Sequence, residues 1–322
     1  MTSDWLTFPW AHTPVPHREV MCNPGVISEL SAYDAIVHTI NTIGTQNPGR
    51  KLMLMMSGGQ KSELIFRTSL DTDVDIEPIF LIMHDNLNHH EFAQLEKIDA
   101  LYSRNNSTKE NPSTQKAWLR VSDWLTGKTS PSWPELVTKH GFTDIRSGML
   151  AWLRHAICDH YGDDVCVITG LGDIPVTWVA DSKVAGQSYW SLCYRHGEHL
   201  AYRDYIHKHF PGDVPWFWSH TPEMVLSILS DPHYQARMKK SRKMNLGQSA
   251  LNEVISNNFP HIECRDSYYG TEQFTSDITD IIKNIPHTEL HDTMDQPRQI
   301  PEPYVITEYH EFIKLLQQNT QN

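Results

Sequence analysis

Residues 51–56, Lys-Leu-Met-Leu-Met-Met, form a short apolar run bounded by turn residues, the pattern of a strand buried on both faces of a parallel sheet. Ser57-Gly58-Gly59 interrupt the run, and the apolar positions resume at helical spacing from Lys61 to Ser69. Before it, Leu30, Tyr33, Ile36, Val37, Ile40 and Ile43 recur every third or fourth residue and predict an amphipathic helix over 28–43, closed by Asn47-Pro48-Gly49. Beyond it, the pattern predicts a strand over 75–83 ending at His84-Asp85-Asn86, a helix over 91–101, a polar loop over 104–114 and a short strand over 117–121. A core helix over 143–161 carries Met149, Leu150, Trp152, Leu153, Ala156 and Ile157, and Val165–Thr169 is a further strand running into Gly170-Leu171-Gly172-Asp173. Thr221 caps a helix with Pro222 at its first position, another helix spans 246–258, and 309–318 reads as a last amphipathic helix after a Pro- and Asp-rich linker over 286–303.

Strands alternating with helices predict an α/β fold with a parallel-sheet, Rossmann-like core and helices on both faces. The aromatics between 174 and 220 read as packing in short, broken segments, so a smaller helical, aromatic-rich C-terminal region is expected. The predicted division is an irregular N-terminal arm over 1–25, the α/β core over 26–175, a substrate-side helical region over 176–285, and a linker with a terminal helix over 286–322.

Chemistry gathers at three strand ends. Strand, glycine turn and helix in succession aim backbone N–H groups at an anion, helped by roughly half a positive charge at the helix start. Gly58 and Gly59 let a ligand approach the backbone, and the Ser57 and Ser62 hydroxyls can donate to phosphate oxygens. An ordinary βα turn is the plainer reading of Gly-Gly alone. Asp85 and Asp173 follow other strands, where ligands of open α/β sheets bind; a helix cap is the plainer role for each.

Composition narrows the classes. The chain has 322 residues, a net charge of −12, 39% hydrophobic and 20% charged residues, with 10 Trp and 12 Tyr. This is a globular composition, and its acidity argues against general adhesion to nucleic acid. No apolar run approaches the ~20 residues of a membrane span, and the N-terminal residues show no signal-peptide pattern. Five dispersed cysteines without a CxxC pair suit a reducing cytoplasm. Against the acidic background, Arg237-Met-Lys239-Lys240-Ser-Arg242-Lys243 concentrates five cations in seven residues. A solvated helix face and a patch facing phosphate or nucleic acid are both open readings.

Ser57-Gly58-Gly59-Gln60-Lys61-Ser62 resembles the SGGxDS pyrophosphate loop of the N-type ATP pyrophosphatases (PP-loop, or adenine nucleotide alpha hydrolase-like, superfamily). Gly170-Leu171-Gly172-Asp173 resembles the GxG turn and following acid of its asparagine synthetase-like members, and 259–274 resembles phage-encoded PP-loop proteins at the level of pattern. Lys61 stands where the family usually has Asp. The resemblance implies a HUP-type core, ATP and Mg²⁺ as cofactors, and cleavage of ATP to AMP and pyrophosphate. It places the nucleotide on Ser57, Gly58, Gly59, Gln60, Ser62, Gly170 and Gly172, with Lys239, Lys240, Arg242 and Lys243 around the pyrophosphate. Lys61 and Asp173 become the catalytic candidates, and Asp173 and Asp85 the metal ligands. The cysteine patterns of the tRNA-thiolating, zinc-bearing and sulfate-reducing relatives are not met, and no glutaminase domain precedes the loop. The expectation is a cytoplasmic, adenylating enzyme that forms an amide or related bond on a small-molecule or nucleotide substrate. A nucleic-acid substrate reached through 237–243 is a variant of it. The alternative is a PP-loop protein that binds nucleotide or a partner without turnover.

Overall fold

The computed structural model describes residues 18–21, 25, 27–82, 91–106, 118–120, 145–171, 174, 176–179, 188–192, 200–240, 247–263 and 305–308. Its centre is a four-stranded parallel sheet made of β2 (Lys51–Met56), β3 (Ile76–Ile82), β4 (Trp118–Arg120) and β5 (Val165–Thr169), in the order β4-β3-β2-β5. β1 is Arg18–Met21, discussed below. A further segment joins beyond β5. Ile168 and Val214 form a parallel bridge, with Thr169 N donating to Val214 O at 3.0 Å and Val214 N to Val167 O at 2.8 Å. Counted in chain order from β2, the five pieces lie 3-2-1-4-5, an arrangement compatible with a doubly wound, Rossmann-like core.

Register explains why β2 has no polar face. Leu52 pairs with Ile76 and Cys166, Leu54 with Pro78 and Ile168, and Met56 with Phe80. These positions point one way and, Pro78 apart, join a single buried cluster with α1 (Ala32–Gln46), α2 (Gln60–Ser69), α6 (Pro222–Ser230), α7 (Pro232–Lys240) and α8 (Gly247–Asn258). Met53, Met55, Val165 and Val167 point the other way and are equally buried. On that side α4 (Ile145–Tyr161) packs on β5 and on α5 (Leu200–His209), burying Trp152, Leu153, Ile157, Tyr202 and Ile206. Each such side chain contributes about 1.5–3 kcal/mol through burial. α3 (Phe92–Asn106) connects β3 to β4.

Helix starts follow local chemistry. The first helix begins at Ala32, not Ser28, because Ser31 caps it by accepting from Asp34 N, and it runs on to Gln46. Thr221 caps α6 by accepting from Met224 N, with Pro222 following. The helix after β3 extends to Asn106, so Arg104-Asn105-Asn106 are helical where a loop was expected.

The sequence reading missed a second sheet. β6 (Val176–Val179), β7 (Tyr189–Leu192), β1 and β8 (Val305–Glu308) form a four-stranded sheet in the order β6-β7-β1-β8, with β1 antiparallel to β7 and parallel to β8. The arm over 1–25 therefore contains a strand, as does the stretch expected to be linker and terminal helix. The region over 176–285 is not wholly helical. Four-residue strands are too short to show a period, and their partners come from opposite parts of the chain. The aromatics of this region are packing residues as expected: Trp190, Trp216, Phe217 and Trp218 are buried, and Trp178 meets Trp190 edge-on at 5.3 Å. The expected helix over 309–318 lies outside the described residues.

Candidate functional site

β2 lies between β3 and β5, so the strand order reverses direction at β2. In open α/β sheets this switch in strand order is where ligands bind, beyond the carboxyl ends of the strands. The loop after β2 is built for a bare backbone. Gly58 has φ +101°, a conformation that side-chain-bearing residues rarely adopt. Gly59 is extended and occupies the N-cap of α2 without any side-chain cap. The first helical bond runs from Glu63 N to Gly59 O at 3.2 Å, so the amides of Gln60, Lys61 and Ser62 precede the helical ladder at its positive end.

The loop after β5 closes on this one. A β-carbon on Gly170 would lie 3.1 Å from the Ser62 nitrogen and 3.3 Å from its Cα and Cβ. Only glycine lets the two turns approach this closely. The structure thus brings together Ser57, Gly58, Gly59, Gln60, Lys61, Ser62 and Gly170. Ser57 and Lys61 are half-buried, and the buried Ser62 hydroxyl donates to Gly59 O at 3.1 Å, inside the loop. Leu171 and Ile174, which follow Gly170, are each held by a hydrogen bond. Trp218 N donates to Leu171 O at 3.3 Å, and the Tyr234 hydroxyl donates to Ile174 O at 3.2 Å.

Polar side chains buried at the loop lack the partners such groups ordinarily have. Both amide atoms of Gln60 are buried without a hydrogen bond. Glu91, immediately before α3, is 2% exposed and its Oε1 has no partner. Its side chain lies on Gly58: a β-carbon there would collide with Glu91 Cβ and stand 3.0 Å from Cδ. Burial pushes the Glu91 carboxyl up to about 7. Glu63 differs. Although buried, it accepts from Arg67 Nε and Gln94 Nε2, both at 2.7 Å, which ties the first turn of α2 to α3. Sequence reasoning missed Glu91 because an acid at a helix start is ordinary; only its approach to Gly58 through space sets it apart.

The other expected residues are less closely joined. Arg237 pairs with Glu253 of α8 at 2.8 Å on the surface, and Lys239 and Lys240 are exposed in the last turn of α7. Asp85, Gly172, Asp173, Arg242 and Lys243 lie outside the described residues. Among the described residues, no group of three or more His, Cys, Asp or Glu is placed to hold a metal ion, and no helix is long and apolar enough to cross a membrane.

A dense ionic knot occupies the opposite, amino-terminal edge of the sheet. Arg154 of α4 pairs through Nε with Asp213 Oδ2, and its Nη2 donates to Val165 O at 3.2 Å and to Asp213 Oδ1 at 3.3 Å. Asp213 Oδ1 also accepts from Val167 N at 3.1 Å and lies 3.6 Å from Arg50 Nη2. Its partners are internal and its place is across the sheet from the glycine loop, so its role is to hold the fifth segment on β5.

No protein-family model matches the chain, and no curated protein matches it significantly.

Proposed function

We propose that the chain is an ATP-binding enzyme of the N-type ATP pyrophosphatase kind, which adenylates a carboxylate or carbonyl oxygen of its substrate with release of pyrophosphate, after which an amine attacks the activated carbon and AMP leaves. The observation that carries this reading is the uncapped start of α2, behind Gly58 and Gly59, at the switch point of the parallel sheet and in contact with Gly170. That arrangement suits the terminal phosphates of a nucleotide. Bare glycine backbone admits the phosphate oxygens, and amides of the first turn of α2, those of Gln60 and Ser62 among them, supply donors fixed before the ligand arrives. The Lys61 side chain adds positive charge at the same turn. Mg²⁺, when bound with the nucleotide, supplies further neutralisation of charge on the departing pyrophosphate. Asp173 and Asp85 remain the expected ligands from the family resemblance.

A second reading keeps the fold and gives up turnover. Lys61 in place of the usual Asp favours it, as does the Ser62 hydroxyl already donating to Gly59. Incubation with ATP and Mg²⁺, with and without a metabolite extract, separates the two. AMP and pyrophosphate that depend on extract, and that are lost in Gly59→Ala and Asp173→Ala, support the enzyme. ATP binding without AMP under every condition selects the binding protein. Polynucleotide binding that weakens steeply with salt, and is lost on neutralising 237–243, would support a nucleic-acid substrate.

A further inference from the structure

We propose that Glu91 is the cation ligand of this loop, holding a divalent metal ion between its carboxylate and the phosphate oxygens that the Gly58–Ser62 turn receives. The inference rests on the phosphate-binding reading above and adds to it a residue from a different element. Three observations lead there. The Glu91 side chain lies directly on Gly58, the residue whose bare backbone opens the loop. It is almost completely buried, with Oε1 facing no donor. The other buried acid of the site, Glu63, is already paired with Arg67 and Gln94 and has no such need.

Charge balance does the rest. A phosphate at the start of α2 would sit close to a buried carboxyl with an unpartnered oxygen, and once that carboxyl ionises the two like charges repel more strongly than in water. A cation between them turns that repulsion into two attractions. Mg²⁺ suits the position because it is commonly held by one or two carboxylates together with substrate phosphates, keeping several waters. Polyphosphates also reach proteins largely as magnesium complexes. The Gly58–Ser62 turn carries no carboxylate of its own, so an acid for the metal comes from another element, and Glu91 lies against the turn.

The test uses the full chain with inorganic pyrophosphate and Mn²⁺ as probes. Bound Mn²⁺ is read by electron paramagnetic resonance, and pyrophosphate affinity by calorimetry with and without Mg²⁺. In the wild type, pyrophosphate should recruit Mn²⁺ to the protein, and Mg²⁺ should tighten pyrophosphate binding. Glu91→Gln should weaken Mn²⁺ binding in the ternary complex by about tenfold or more, while metal-free pyrophosphate binds more tightly than in the wild type. Glu91→Asp should retain part of the metal dependence. Equal Mn²⁺ binding by wild type and Glu91→Gln overturns the proposal while leaving the phosphate loop intact. So does metal-independent pyrophosphate binding that follows protonation near pH 7 in the wild type only. Failure of the wild type to bind pyrophosphate with or without metal removes both this proposal and the loop reading.

Discussion

Gly170 and Ser62 belong to different loops, yet a β-carbon on Gly170 would stand 3.1 Å from the Ser62 amide nitrogen. The neighbour is helical backbone, which cannot swing aside as the end of a flexible side chain can. Gly170→Ala should therefore displace the first turn of α2. We expect about 1–2 kcal/mol of lost stability and about a tenfold or greater loss of ATP affinity. Denaturant midpoints and calorimetry measure the two effects, and unchanged affinity would show that the turn is not the binding element.

Stability should carry two opposed pH dependences. Glu91 is raised from 4.5 to about 7 in the folded protein, so the native state binds the extra proton between these values. Its contribution makes the protein less stable as pH rises through that window, by up to about 3 kcal/mol. His220 is lowered from 6.5 to about 4 by burial, so the unfolded state binds the proton and stability is lost as pH falls through that range. Where the windows overlap, the two slopes cancel. In urea titrations from pH 4 to pH 8, Glu91→Gln should unmask the rising slope of His220. An unaltered profile would refute the assignment.

The ionic knot across the sheet makes a different prediction. Asp213→Ala leaves Arg154 charged and buried, removes the acceptor of Val167 N, and should cost about 3–5 kcal/mol. Replacing Arg154 and Asp213 together by Met and Leu should recover much of that loss, since a buried ion pair often gains little over apolar packing. Thermal and chemical unfolding of the single and double variants give the coupling directly.

Thr221 has two roles in one hydroxyl. It accepts from Met224 N at 3.3 Å as the cap of α6, and lies 2.8 Å from the Thr39 hydroxyl of α1 in the core. Thr221→Ala should destabilise by about 1–2 kcal/mol, and Thr221→Ser should restore most of it. Equal losses in the two variants would point to the methyl group instead.

What could be read from the chain depended on how local its cause was. β2 and β5 fall on their expected residues because both faces are buried, leaving unbroken apolar runs ended by Gly or Ser. The Gly58 turn was legible for the same reason: a positive φ selects its residue type in place. Glu91 was not legible, because its burial depends on a backbone contact with a residue thirty-three positions away. β1 and β8 were hidden likewise, since Arg18-Glu19-Val20-Met21 has neither a hydrophobic run nor an alternation to announce a strand.

The β1–β8 pairing also sets an order of events. Arg18 is registered against Val305 and Met21 against Glu308, and β1 sits between β7 and β8. The four strands of the parallel sheet lie within 51–169 and its fifth segment at Val214, so all of it is made well before the second sheet, which cannot be completed until residue 308 has left the ribosome. Closing so long a loop is slow, and until then one edge of β1 offers unpaired backbone to any other strand nearby. A newly made chain would therefore hold its glycine loop before its second sheet is sealed, and that interval is when it is most open to wrong partners.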